Sequence, residues 1–153
     1  MAAIDVGTVI YAAGSSLENY CLINPDNPAN ATGTITEIDI WVTAQNRQWR
    51  VGTCFNVGGV NFTTRDSELI TVAVGANNNI PVDLDVVVGD LVFIDFLAIN
   101  NRVNREVIGG SGYWWAAAGV APFINQAFTL SAGRILPLYG TGKTVGGRGW
   151  AQK

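Results

Sequence analysis

Gly142-Lys143-Thr144, close to the end of a 153-residue chain, is the tripeptide that closes a nucleotide-binding P-loop. The rest of that motif is missing. The P-loop's leading glycine position falls on Pro137, which has a locked φ and no N–H to offer a phosphate. Behind Thr144 comes VGGRGWAQK, too rich in glycine for the helix whose N-terminus would carry the phosphates. The stretch reads as a strand end running into a glycine-rich tail, and the sequence implies no cofactor.

Other chemistry is limited by what the chain lacks. It has no histidine, so Ser-His-Asp and Cys-His machinery are ruled out and the commonest general base near neutral pH is missing. Carboxylates remain. Asp83 and Asp85 are two apart on an expected strand and share a face, Asp66 and Glu68 bracket an expected turn, and Asp90 and Asp95 flank a strand start. A glycosidase needs two carboxyls held across a sugar, one in an apolar pocket, and nothing singles out such a pair. Asp83 and Asp85 with Asn-rich turns could supply hard oxygen ligands to calcium; a solvated strand face is the favoured reading. Cys21 and Cys54 lack CxxC spacing and have no histidine to join them, so no metal site is expected. They read as two small buried apolar side chains, with a disulfide as the alternative. The expectation is a protein that is not an enzyme.

Composition narrows the partners. Nearly half the residues are hydrophobic (48%), ample for one core, while only 14% are charged. A net charge of −3 argues against nucleic acid, which wants a basic face. No apolar run is long enough to span a membrane. The opening MAAIDVGTVIYAAG has no basic region and is interrupted by Asp5, a poor signal peptide. Synthesis and assembly in a cytoplasm are therefore expected, and the sequons at Asn30 and Asn61 are read as chance.

The elements that must position these residues are β throughout. ITEIDIWV alternates, with Ile38, Ile40 and Val42 on one face and Glu37 and Asp39 on the other. QWRVGTCFNV alternates likewise, placing Trp49, Val51, Thr53 and Phe55 together, and Gly58-Gly59 reverses the chain into VNFTT. LITVAV follows, closed by a turn at GANNN; then come IPVDLDVVV, a Gly89-Asp90 turn, and LVFIDFLAI, apolar on both faces except at Asp95 and so a covered central strand. REVIG, GYWWAAAG, QAFTLS and RILPLYG complete about eight to ten short strands. NPDNPANATG (Asn24 to Gly33) can only be an irregular connection. The expected fold is all-β, a single antiparallel β-sandwich. Residues 1–33 form an N-terminal arm and loop, 34–142 the sandwich, and 143–153 an extended C-terminal arm.

The candidate contact residues are aromatic or basic. Trp114 and Trp115 are neighbours on an expected strand and face opposite ways, one into the core and one to the outside or an interface. With Tyr113 they suit a protein interface; with Trp41 and Trp49 they could build a sugar-stacking platform. Trp150, flanked by Lys143 and Arg148 on the tail, is the expected anchor of that tail on another subunit or a neighbouring protein.

Three segments, ATGTITEIDIWV, VVVGDLVFIDF and FTLSAGRILPLYGTG, resemble the jelly-roll β-sandwich modules of structural proteins in tailed-bacteriophage virions. The resemblance covers roughly Ala31 to Gly142 and rests on turn and strand patterns. It implies a jelly roll, no catalytic residues, and a place on a capsid surface, tail or fibre. The expectation it supports is a capsid decoration protein on the virion surface. Such a protein would form a homo-oligomer, favouring a trimer, and bridge major capsid subunits after assembly in the host cytoplasm. The alternative is a carbohydrate- or receptor-binding module of a tail appendage, with a glycan as partner.

Overall fold

The computed structural model describes residues 3–11, 15–18, 20–44, 48–96, 102–105 and 112–144. They form an all-β sandwich of two antiparallel sheets, with no helix among the described residues. The strands are β1 (Ala3–Gly7), β2 (Ser15–Glu18), β3 (Tyr20–Asn24), β4 (Gly33–Ala44), β5 (Gln48–Gly58), β6 (Asn61–Thr71) and β7 (Gly75–Val86). They continue as β8 (Leu91–Phe96), β9 (Arg102–Arg105), β10 (Tyr113–Ala117), β11 (Gln126–Ala127), β12 (Thr129–Ser131) and β13 (Leu138–Thr144). One sheet runs β1-β13-β4-β9-β2 with β7 also on β4; the other runs β11-β6-β5-β8-β3-β10-β12.

Alternation builds the core between the sheets. Ile38, Ile40 and Val42 on β4 point inward, as do Ile4 and Val6 on β1, and Leu84 and Val86 on β7. Ile35 also points inward although it is out of phase with Ile38, because Thr36 bulges and the register shifts there against β7 and β13. From the second sheet come Trp49, Val51, Val92, Ile94 and Phe96. β8 is buried along nearly its whole length, the covered central strand that its apolar run implies.

The second sheet has a core of its own. Its two end strands, β11 on β6 and β12 on β10, are consecutive pieces of one segment separated only by Phe128. A single stretch therefore bridges both edges and curls the sheet nearly closed. Phe62 on β6 and Trp114 on β10 touch across the seam, ring centres 5.2 Å apart. Inside lie Cys21, Ile23, Cys54, Phe62, Phe93, Ala116, Phe123 and Phe128. Phe128 meets Phe62 and Phe123 edge-on at 5.5 and 5.0 Å. Gly52 makes room for this packing, since a Cβ there would sit 2.6 Å from the Phe93 ring.

Several expectations are corrected. The described residues of 1–33 do not form an arm: β1 pairs with β13 and β3 is held between β8 and β10, with Cys21 to Asn24 buried. The irregular connection from residue 25 to 32 stands as read. Lys143 and Thr144 end β13, paired with Thr34 and Gly33, rather than opening an arm; residues 145–153, with Arg148 and Trp150, lie outside the described residues. GANNN is the start of β7, not a turn. Asn77 instead closes the turn just before it, accepting the Ala73 N–H at 2.9 Å and donating to its carbonyl at 2.7 Å. QAFTLS divides into β11 and β12, one reason the strands reach 13 among the described residues.

Candidate functional site

The residues with chemistry to offer are largely occupied in sealing the fold. Asp66 and Glu68 lie within β6, not about a turn, and their carboxylates accept the backbone N–H groups of Asp85 (2.8 Å) and Asp83 (2.9 Å) on β7. They blunt the edge of the first sheet with side chains from the second, covering groups that would otherwise template another strand. Asn30 and Asn27 do the same for β1: Asn30 accepts from Asp5 N–H (3.0 Å) and donates to Ala3 carbonyl (3.2 Å), and Asn27 donates to Gly7 carbonyl. The Gly-Asp turn before β8 is locked by buried Asp90, which accepts the Val87 N–H at 2.9 Å and forms a bidentate ion pair with Arg65. Arg65 in turn lies 4.5 Å over the Phe55 ring.

Asp95 is fully buried on β8 and accepts N–H bonds from Gly119 (2.7 Å) and Ala121 (2.8 Å), pinning the segment that leads into the seam. Burial pushes its carboxyl above the ordinary value, against the opposing pull of those two bonds and of Arg50. Cys21 and Cys54 are free and buried. Burial raises both thiols well above their ordinary value, which suppresses the thiolate that a nucleophile or metal ligand needs. Asp83 and Asp85 are exposed on one face, and no group of three or more metal-ligating side chains converges among the described residues.

The expected contact residues scatter. Tyr113 is buried in the core between the sheets and presents nothing to a partner. Trp114 and Trp115 do face opposite ways, Trp114 into the aromatic cluster and Trp115 against Tyr20 at 5.3 Å, but both are half-buried and neither is fully outside. Trp49 is fully buried, so a sugar platform that uses Trp49 and Tyr113 cannot form. Lys143 is exposed on β13 in mid-sheet, a setting unlike the loop of a P-loop.

The structure instead brings together a surface that the motifs did not mark. The sequence has no charged residue from Val51 to Thr64 or from Val107 to Gly133. The described parts of these runs meet along the seam. Phe128 N–H donates to Val60 carbonyl (2.9 Å), Asn61 to Asn125 (2.9 Å), and Asn125 N–H to Thr63 (2.9 Å), while Phe123 and Thr64 exchange two bonds. Aliphatic side chains stand out from this rim: Ile124 is 85% exposed, with Val57, Val60 and Leu130 between 43% and 48%. Ile124 sits between Phe123 and Asn125, both tied to β6, so its exposure is fixed by the backbone. Acidic side chains gather elsewhere. Asp5, Glu37, Asp39, Asp83 and Asp85 alternate with buried neighbours on β1, β4 and β7 and so share the outer face of the first sheet.

No protein-family model, curated protein or solved structure matches this chain.

Proposed function

We propose that this chain is a structural protein of a bacteriophage virion, a capsid decoration protein of jelly-roll type that stabilises the shell by bridging major capsid subunits. Strand pairing supports the jelly-roll part. Taken in chain order, the eight principal strands β1, β3, β4, β5, β6, β7, β8 and β13 pair first with last, second with seventh, third with sixth and fourth with fifth. That nested pairing is how a jelly roll winds. β2 and β9 to β12 are additions to it.

The observation that carries the functional reading is the rim around Ile124. A rigid, charge-free surface studded with aliphatic side chains loses little on desolvation and little entropy on docking. It has the composition of an interface core, where charged residues are depleted. The carboxylates and amides that could have served chemistry are meanwhile spent on edges and turns. In this reading the chain coats the virion surface, in copies grouped on local threefold axes, after assembly in the host cytoplasm.

The test is co-sedimentation of the purified chain with phage capsids assembled without it. Saturable binding at a fixed ratio to capsid subunits, with a raised temperature of capsid disruption, is the expected result. Capsids left bare by a chain that binds glycans on an array would overturn the proposal in favour of a tail-appendage module.

A further inference from the structure

We infer that the charge-free rim is where copies of this chain join one another: the partner of Ile124 and the Val57–Val60 hairpin is the rim of a neighbouring copy. The inference rests on the shell-protein reading for its need of several copies side by side. It goes further by naming the surface and its occupant.

Charge decides the occupant. The chain carries a net charge of −3, and five carboxylates lie on the outer face of the first sheet. Two copies approaching through that face would set acid against acid. The runs Val51–Thr64 and Val107–Gly133 carry no charge, the second being the longest such run in the sequence, and their described parts form one continuous surface along the seam. Rim-to-rim contact turns the acidic faces away from each other and desolvates no charge, whereas a basic partner would find nothing to pair with there. The apolar content is also concentrated. Of the nine exposed large hydrophobic residues among those described, four (Val57, Val60, Ile124 and Leu130) belong to this rim.

The geometry is preorganised for association. Asn56 ties down the hairpin tip, accepting the Gly58 N–H at 3.0 Å and donating to Gly59 and Asn61 carbonyls. On the other side of β6 the residues flanking Ile124 are bonded to Thr63 and Thr64. The uncharged Asn61, Asn125 and Gln126 supply the polar surround that lets such a patch stay soluble before it is covered.

Sedimentation velocity on the full chain tests this, with three proteins run over a concentration series. Wild type should sediment as a discrete oligomer. Ile124→Asp should sediment as a monomer with an unchanged near-ultraviolet circular dichroism spectrum, since its side chain is mostly exposed in the single chain, and its thermal midpoint should lose the concentration dependence that association gives wild type. Leu69→Asp, exposed away from the rim, should remain oligomeric. A monomeric wild type at high micromolar concentration overturns the inference, and so does an Ile124→Asp protein that is as oligomeric as wild type. The two proposals separate cleanly. A monomer that still coats capsids removes the rim inference alone; an oligomer that leaves capsids bare removes the shell reading alone.

Discussion

The two apolar clusters of this molecule are closed in different ways. Between the sheets, isoleucine, valine and leucine from β1, β4, β7 and β8 meet face to face, supplied by alternation along each strand with a bulge at Thr36. Inside the curled second sheet the contents are mainly phenylalanine with two buried cysteines, and closure depends on one segment that follows no period. The first core is distributed, so many residues each contribute a little. The second is concentrated, with Phe128 standing where a single stretch of chain joins both edges. The surface proposed to make contacts lies over the concentrated core, so the seam ties packing to function.

Substitutions can break or sharpen that contrast. Phe128→Ala should have the largest effect, about 3–5 kcal/mol in urea unfolding. It should also speed hydrogen exchange at the Thr64 amide, which is bonded across the seam to the Phe123 carbonyl. In the distributed core, Ile38→Val should cost no more than about 1.5 kcal/mol; equal losses at both sites would erase the distinction. Gly52→Ala comes next, at about 1–3 kcal/mol of overpacking, because the new methyl group meets the Phe93 ring and the Asp66 carbonyl. A loss confined to the aromatic core would show as near-ultraviolet circular dichroism changing before far-ultraviolet.

Asp95 gives a smaller, pH-dependent effect. Its folded-state pKa lies above the unfolded value near 3.8, so the folded chain holds its proton more tightly. Its contribution is fully present below the unfolded value and is lost as pH rises through the folded one. The urea midpoint should carry a downward component as pH rises from about 4, and Asp95→Asn, with no proton to exchange, should remove that component. A slope identical in the variant would show that the seam anchor does not titrate as its burial requires. The smallest effect is expected at Asn30→Ala. Exposed bonds from Asn30 to β1 are worth about 0.5–1.5 kcal/mol in total, measurable as a small fall in thermal midpoint with both cores intact.

The sequence was readable where physics is local. β4 alternates, β8 is apolar on both faces, and Gly58-Gly59 adopts the positive φ that its hairpin needs. The readings failed where long-range pairing overrode composition. The segment before Ala31 lies outside the resembling stretches and reads as an arm, yet β1 pairs with β13, its Asp5 pointing outward to accept a hydrogen bond from Tyr139 at 3.2 Å while Ile4 and Val6 enter the core. GANNN has turn composition, but β7 begins there, with Asn79 at a φ of 59° and a register shift nearby taking up the irregularity. Phe123 and Phe128 carry no periodic signal, because Phe123 is placed by bonds to Thr64 on β6 and Phe128 by a bond to Val60 in the hairpin before it, rather than by a strand of their own. The rim did leave a trace, two long runs without charge. Its meaning emerged only once the pairing across β6 brought those runs together.

Cryo-electron microscopy of virions carrying this chain tests the central claim most directly. The account predicts density for it on the capsid shell, in groups whose copies touch one another along residues 56–64 and 119–131, with the acidic sheet face turned away from that contact. Single copies at a tail tip, or neighbours meeting through the face that holds Asp5, Glu37 and Asp39, would contradict it.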